Sequence, residues 1–196
     1  MASWDLALSG ERTLRMLPCN EASLDETARM LNSGGVAVIP TDTVYGLAAH
    51  PAFQDAVERL YSIKGREHEK KIALLASNSD AVENFGFPLF GTAKDLASKH
   101  WPGALTMIIG EEGFRVPDHA WTRRLLAKCG GVLRVTSANL SGGRPATDVP
   151  QALADVGLSA DLVIDGGMSP GGVASTVVRV RPDGGVEVLR KGAIDI

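Results

Sequence analysis

The sequence predicts a single α/β domain built on a twisted, mixed parallel and antiparallel sheet flanked by helices. Short apolar, β-branched runs alternate along the chain with segments of helical periodicity, which is the pattern of α/β proteins. The chain closes with two strand-like segments around a Pro-Asp-Gly-Gly turn, and such a hairpin is antiparallel. No repeat or long linker divides the 196 residues, so we expect one domain over 1–196, with its motifs within about 22–192.

The helices are predicted from capping signals and apolar spacing. The segment Ser23–Glu26 has the sequence of a capping box, and the helix that it begins ends before Gly34 and Gly35. In the next helix, apolar residues recur from Phe53 to Ile63 at i, i+3, i+4 and i+7, which places Lys64 at the C-terminal end. Further helices are predicted near 80–85, 92–100, 121–129 and 150–156.

The strands are predicted from continuous apolar runs. Val36–Ile39 is an unbroken apolar segment that ends at Pro40, which predicts a strand buried on both faces. Other strands are predicted at 72–76, 104–109, 132–136 and 162–164, followed by the terminal hairpin of 175–180 and 186–189.

Composition and charge exclude several classes of protein. The chain has 20 Lys and Arg against 23 Asp and Glu, so a uniformly basic nucleic-acid-binding protein is excluded, although a local basic groove is not. No apolar run approaches the ~18 residues of a membrane span. Asp5 and Glu11 interrupt the first apolar stretch, unlike a signal peptide. We therefore expect no membrane segment and a cytoplasmic location.

Metal and nucleotide signatures are missing from the sequence. Cys19 and Cys129 are far apart, and the four histidines have no metal-binding spacing, so we predict no protein-bound metal. There is neither a P-loop nor a Gly-x-Gly-x-x-Gly segment. A nucleotide would therefore be held by Lys, Arg and hydroxyl groups rather than by a glycine-rich cradle.

The first candidate motif is the polar loop of 40–47, directly after a predicted buried strand. Ligands of open α/β sheets bind beyond the carboxyl ends of strands, so Thr41, Asp42 and Thr43 are well placed to bind a polar ligand. The alternative is a turn in which Thr41 and Asp42 bond only to their own backbone. The spacing leaves both interpretations open.

The second candidate motif is Lys64-Gly65-Arg66 at a helix end. A lysine and an arginine on either side of a flexible glycine can both reach one phosphate. Basic residues at helix C-termini also complement the helix dipole, and Glu67 and Glu69 follow directly. Taken alone, the motif favours that second explanation.

Two further polar loops lie at 134–143 and 171–176. Both combine glycines with hydroxyl or amide side chains, which can approach a ligand closely and bond to carboxylate or phosphate oxygens. Turns require Gly, Pro, Asn and Asp rather than repeated Ser and Thr. The recurrence of such loops after strands therefore indicates a ligand site.

Together these motifs resemble those of the threonylcarbamoyl-adenylate synthase family (YrdC/TsaC). The matching segments, in that family's order and over about 34–192, are PTDTVYGL, KGR, RVPDH, TSANLSG, GVASTVV and LRKG. The resemblance implies a YrdC-like fold in its short form, without the extra C-terminal domain of longer members. It also implies a nucleotidyltransferase that condenses L-threonine, bicarbonate and ATP to threonylcarbamoyl-AMP and pyrophosphate, for threonylcarbamoyladenosine modification of tRNA.

The same resemblance implies roles for individual residues. Threonine and its carboxylated form would contact a set of hydroxyl and guanidinium groups, namely Thr41, Thr43, Arg115, Ser137 and Ser175. ATP would contact Lys64, Arg66, Asn139, Thr147 and Arg190. Lys64 and Arg66 would also be catalytic, because they would stabilise the charge that develops on the phosphates. Mg²⁺ would accompany the ATP. A histidine that some members use is replaced by Leu75, which predicts the loss of that contact.

Partners and alternative functions follow from the same residues. The downstream partner would be the tRNA threonylcarbamoyl-transferase machinery, and weak RNA binding is a further open prediction. One alternative is a carbamoyl-transfer relative that acts on carbamoyl-adenylate. Another is a non-catalytic RNA-binding module with a basic concavity formed by Lys64, Arg66, Lys70, Lys71, Arg123, Arg124 and Arg134.

Overall fold

The strands in the described part of the chain form one mixed sheet of eleven strands. This computed structural model describes residues 4–7 and 13–196, so residues 1–3 and 8–12 of the predicted domain lie outside the described residues. In chain order the strands are β1 (Trp4–Ala7), β2 (Thr13–Pro18), β3 (Val36–Ile39), β4 (Gly46–Ala49), β5 (Leu74–Ala76), β6 (Leu105–Ile109), β7 (Glu112–Arg115), β8 (Val132–Ser137), β9 (Leu162–Asp165), β10 (Thr176–Val180) and β11 (Val186–Arg190).

The sheet has the order β1-β2-β9-β3-β4-β8-β5-β7-β6-β10-β11. The pairs β2 with β9, β3 with β9, β5 with β7 and β6 with β10 are parallel. The pairs β3 with β4, β4 with β8, β5 with β8 and β6 with β7 are antiparallel. The terminal hairpin of β10 and β11 is antiparallel as predicted. The predicted mixed sheet is therefore confirmed.

Helices cover both faces of the sheet. They are α1 (Glu21–Leu31), α2 (Gln54–Lys64), α3 (Ser79–Asn84), α4 (Gly91–His100), α5 (Ala120–Lys128) and α6 (Val149–Asp155). Val36 and Val38 pack with residues of α2 and α6, whereas Ala37 and Ile39 pack with residues of α1 and α5. Because both faces of β3 are buried, its sequence is apolar at every position rather than at alternate ones.

The first helix begins earlier than the sequence predicts. Its N-cap is Asn20, whose side chain accepts a hydrogen bond from the backbone N–H of Ser23 at 3.2 Å. The Ser23 hydroxyl accepts in return from the backbone N–H of Asn20 at 3.3 Å. The prediction that Ser23 begins the capping box was wrong, because Asn20, an equally good capping residue three positions earlier, is the N-cap and Ser23 takes the reciprocal third position of the box.

Four strands were not predicted, and two of them position the site. β4 begins inside the polar PTDTVYGL motif, and β7 ends at Arg115. β4 is apolar but consists of Gly, Leu and Ala rather than β-branched residues, and β7 has the sequence Glu-Gly-Phe-Arg without an apolar run. The helix that delivers Lys64 was predicted correctly, and it ends at Gly65 in the left-handed conformation with φ +59°.

Candidate active site

A cavity of about 1010 Å³ opens where several of the polar loops meet. It brings together seven of the predicted site residues, which are Thr41, Thr43, Arg66, Arg115, Ser137, Ser175 and Arg190. The cavity also contains Leu75, at the position where the family resemblance expects a histidine in some members. Lys64, Asn139 and Thr147 are not among the residues that line it.

The loop between β3 and β4 has a hydroxyl group at its centre. Thr41 is buried, and its Oγ1 donates to the carbonyl oxygen of Val44 at 2.6 Å while accepting from the backbone N–H of Thr43 at 3.1 Å. The two threonine hydroxyl oxygens lie 3.1 Å apart. Thr41 thus stabilises the turn through hydrogen bonds to the backbone of the turn, and the hydroxyl group of Thr43 lies beside it.

Arg115 is fixed at the end of β7 by three different acceptors. Its Nε donates to the carbonyl oxygen of Gly103 at 2.9 Å and its Nη1 to the Thr43 hydroxyl at 2.8 Å. Its Nη2 forms an ion pair with Asp42, and the two side chains are only 7% and 12% exposed. Burial lowers the pKa of Arg115, whereas Asp42 opposes that effect and stabilises the charged form. The guanidinium is therefore held in one orientation at the cavity wall.

Ser175 and Thr106 line the same cavity as Arg115. Its hydroxyl oxygen lies 2.8 Å from that of Thr106 on β6, and both residues are buried. Arg190 donates from Nη2 to the Ser175 carbonyl oxygen at 2.7 Å and to its hydroxyl at 3.3 Å. Thr106 was missed by sequence reasoning, although a single hydroxyl within the apolar run of β6 was a usable signal.

Two arginines at this cavity make no ion pair within the described residues. Arg66 donates to the carbonyl oxygens of Lys70 and Lys71 at 2.6 and 3.2 Å, and Arg190 donates only to Ser175. Burial, followed by repulsion from Arg66, lowers the pKa of Arg190. Neither guanidinium group is therefore in direct contact with a carboxylate of the described residues, although Glu69 and Glu111 also line the cavity.

Lys64 lies behind the loop that follows β8. Its Nζ donates to the carbonyl oxygens of Ser137 and Asn139 at 2.6 and 2.5 Å, and the residue is buried. Burial, followed by repulsion from Arg66, lowers the pKa of Lys64 to about 8. The ammonium group thus supports the backbone of the TSAN segment, adjacent to the charge of Arg66.

The remaining predicted ATP contacts are held by local hydrogen bonds. Asn139 donates from Nδ2 to the carbonyl oxygens of Leu140 and Gly143 at 2.7 and 2.9 Å, while its buried Oδ1 has no partner among the described residues. Thr147 exchanges hydrogen bonds with the side chain of Gln151.

The described part of the chain contains neither a cluster of metal-binding side chains nor a helix that could span a membrane. Over 4–7 and 13–196, no three His, Cys, Asp or Glu side chains are grouped so that they could hold a metal ion. Across the same ranges, no helix combines the length and the apolar character that crossing a membrane requires.

Comparison with known proteins places the chain in a family. The Sua5/YciO/YrdC family model, described as "Telomere recombination", matches residues 29–192. The threonylcarbamoyl-AMP synthase of Bacillus subtilis (strain 168) is 32% identical over 193 residues, which cover 91% of this chain and 56% of that protein. The threonylcarbamoyl-AMP synthase of Rattus norvegicus is 31% identical, with 95% of this chain and 77% of that protein covered.

The fold agrees with these sequence matches. The crystal structure of P. abyssi Sua5 complexed with L-threonine superposes with a TM-score of 0.78 at 26% identity, and the alignment covers 90% of this chain and 56% of that one. The family match spans the predicted motifs and most of the sheet that forms the cavity. The chain belongs to the Sua5/YciO/YrdC family.

Proposed function

We propose that this chain is an L-threonylcarbamoyladenylate synthase. It condenses L-threonine, bicarbonate and ATP to threonylcarbamoyl-AMP and pyrophosphate, toward the threonylcarbamoyladenosine modification of tRNA. The observation that carries the proposal is a single cavity lined by Arg115, by the hydroxyl groups around it, and by Arg66 and Arg190, two arginines that form no ion pair within the described residues. The chain spans 56% of the length of the Bacillus relative that bears the corresponding name.

The threonine half of the reaction is assigned to Arg115 and the hydroxyl groups around it. Each terminal nitrogen of the Arg115 guanidinium group has two N–H groups. One N–H of Nη1 donates to Thr43 and one N–H of Nη2 donates to Asp42, so each nitrogen retains an N–H group for a substrate carboxylate. Thr41, Ser137 and Ser175 add hydroxyl groups at the same cavity wall. The support from the comparisons is the relative whose structure holds L-threonine.

The nucleotide half is assigned to Arg66 and Arg190. A triphosphate carries several negative charges, and two arginines that form no ion pair within residues 4–7 and 13–196 supply the matching positive charge. Lys64, Asn139 and Thr147 do not line the cavity but remain in the proposed ATP site, because they support the segments that border it. Lys64 lies close enough to Arg66 for their charges to interact, and the buried Oδ1 of Asn139 accepts no hydrogen bond from any described residue.

The proposed chemistry requires no protein nucleophile. The amine of threonine and bicarbonate give a carbamate and water. An oxygen of that carbamate forms a bond to the α-phosphorus of ATP, and the bond from that phosphorus to pyrophosphate breaks. The positive charges of Arg66 and Lys64 stabilise the negative charge on the phosphoryl and leaving oxygens. The rest of the rate acceleration comes from the positioning of the reactants by fixed groups such as Arg115.

Mg²⁺ would enter this site with ATP. In proteins it binds through one or two carboxylates together with phosphates and water. The cavity offers separate oxygen groups of this kind, including the Ser137 hydroxyl and the Glu69 carboxylate, rather than a cage of carboxylates. Such residues fit an ion that the nucleotide carries. When bound, the ion would offset phosphate charge.

The proposal extends to location and partners. A cytoplasmic location and delivery of the product to a tRNA threonylcarbamoyl-transferase remain part of it. Weak RNA binding would use the basic residues at the mouth of the cavity, among them Lys70 and Lys71. A salt-dependent affinity for tRNA, measured in titrations of the purified chain, would support that part, and undetectable binding would remove it.

Pyrophosphate release from ATP tests the activity. The purified chain is assayed with L-threonine, bicarbonate and Mg²⁺, and each component is omitted in turn. Strict dependence on threonine and bicarbonate is expected, with a loss of at least about tenfold in Arg66→Gln and Arg190→Gln. The matched control is Arg124→Gln, because Arg124 is an exposed arginine on α5 that pairs with Glu21. Release that requires carbamoyl phosphate instead of threonine would support the carbamoyl-transfer alternative, and no release would overturn the proposal.

A further inference from the structure

The chain folds back on itself directly after β11. Thr176, at the start of β10, accepts hydrogen bonds at its Oγ1 from the backbone N–H groups of Gly192 and Ile194 at 3.1 and 3.2 Å. The same hydroxyl donates to the carbonyl oxygen of Ile194. Only 1% of Thr176 is exposed. We call the contact of 192–194 with 174–176 the C-terminal clasp.

The clasp is tightly packed at Gly192. A Cβ atom added there would lie 2.3 Å from the carbonyl oxygen of Ala174 and 2.4 Å from the carbonyl carbon of Ser175. The next residue, Ala193, donates from its backbone N–H to the same Ala174 carbonyl oxygen at 2.9 Å. A side chain at position 192 would therefore separate the two segments.

Arg190 lies two residues before the clasp and contacts the residue next to Thr176. Its Nη2 donates to the carbonyl oxygen and the hydroxyl of Ser175, so the guanidinium spans the same two segments that the clasp joins. All five residues of β11 are exposed, and β11 is the last strand of the sheet. The backbone of Arg190 pairs with Val177 of β10, and the clasp is the next attachment of the chain to the β10 segment after that pair.

We propose that Thr176 is a positioning residue for nucleotide binding, because the clasp that it organises holds Arg190 over the cavity. This inference rests on the proposed function, because that function assigns Arg190 to the binding of ATP. Thr176 itself touches no substrate in this account. It acts by fixing the backbone that follows Arg190, while the pairing of β10 with β11 fixes the backbone before it. Both reduce the conformational freedom that Arg190 loses when it binds a phosphate.

The test is calorimetric titration with ATP and Mg²⁺, without threonine, on Thr176→Val and Thr176→Ser. We expect Thr176→Val to raise the Kd for ATP about tenfold, because two backbone N–H groups lose their acceptor and the clasp opens. Thr176→Ser keeps the hydroxyl and is expected to bind within about twofold of the wild type. Thr27→Val is the matched control, since it removes another buried threonine hydroxyl, bonded to Ser23 in α1.

Two further variants separate positioning from general stability. Gly192→Ala opens the clasp without changing Thr176 and is expected to raise the Kd to a similar extent. If the clasp acts through Arg190, the Kd of Thr176→Val/Arg190→Gln equals that of Arg190→Gln alone. Additive losses in the double variant would overturn the inference, as would unchanged ATP binding in both Thr176→Val and Gly192→Ala.

The titration also separates this inference from the proposed function. A wild-type chain that binds ATP but releases no pyrophosphate with threonine and bicarbonate contradicts the proposed reaction, while the clasp is still tested by the Kd values. A wild-type chain that does not bind ATP contradicts both.

Discussion

Lys64 donates from its ammonium group to the backbone carbonyl oxygen of Asn139 at a distance of 2.5 Å. The backbone returns the contact, because the N–H of Ser141 donates to the carbonyl oxygen of Lys64 at 2.9 Å. The end of α2 is thereby joined to the loop after β8, and the proposed ATP contacts on both segments are held together. Lys64 therefore has a structural role beside the catalytic role proposed for it.

The charge state of Lys64 predicts opposite pH effects on activity and stability. Its pKa is lowered to about 8 from 10.5, so between these values the unfolded chain binds the proton and the folded chain does not. The contribution of this group to the free energy of unfolding therefore rises with pH across that window. Activity is expected to fall there, because the positive charge beside the phosphates is lost.

The measurement is kcat/KM for ATP from about pH 7 to about pH 9, at saturating threonine and bicarbonate. Lys64→Arg is the control, since arginine stays charged and any titration of the substrates affects both proteins equally. The ratio of wild type to Lys64→Arg is expected to fall about tenfold over this range. Parallel pH profiles of kcat/KM in the wild type and in Lys64→Arg would show that the charge of Lys64 does not contribute to activity.

The ion pair of Arg115 with Asp42 predicts strong energetic coupling. Arg115→Met leaves the Asp42 carboxylate largely buried without its cation, which is expected to cost about 3–5 kcal/mol of unfolding free energy. The cost is expected to be smaller when Asp42→Asn is present as well, because the uncompensated charge is then gone. Urea unfolding of the wild type, both single variants and the double variant measures the coupling, and strictly additive effects would contradict it.

The close packing of Gly171 against the loop of Asp42 and Thr43 predicts that a side chain at position 171 weakens threonine binding. Its backbone N–H donates to the carbonyl oxygen of Asp42, and an added Cβ would lie 2.7 Å from that oxygen and 3.1 Å from the Thr43 Cα. Gly171→Ala is expected to displace the loop that carries Thr43 and to raise the KM for threonine about tenfold.

The control for Gly171 is Gly86→Ala, which follows α3. Gly86 has φ +97°, and nothing lies within 4 Å of an added Cβ, so only backbone strain is introduced. Gly86→Ala is expected to lower stability by about 1–2 kcal/mol with the KM for threonine unchanged. Equal KM values in the two variants would rule out the proposed displacement.

The hydroxyl pair of Thr106 and Ser175 predicts a role for a residue outside the family motifs. Thr106→Val removes the bond to Ser175 with almost no change in shape, and the loss of one buried hydrogen bond corresponds to about a tenfold rise in the KM for threonine. Thr106→Ser is expected to restore the wild-type value. The prediction fails if steady-state kinetics give the same KM for the valine and serine variants.

Local sequence patterns determined most of the elements. Val36–Ile39 is apolar at every position because both of its faces are covered, and the apolar spacing of α2 located Lys64 at its end. The strand β4 was missed because it begins within a polar motif. Short strands of this kind are stabilised by their neighbours in the sheet, so their own residues carry little signal.

The sequence by itself determined which residue types gather in the polar loops and the family to which their motifs point. Only the tertiary structure decided which of these side chains meet. Arg115 and Asp42 are 73 positions apart, and Thr106 and Ser175 are 69 apart. Lys64 lies in a predicted motif, yet its ammonium group turns toward backbone carbonyls. Strand order and helix packing set these contacts, and both depend on long-range burial of apolar surface that no local segment encodes.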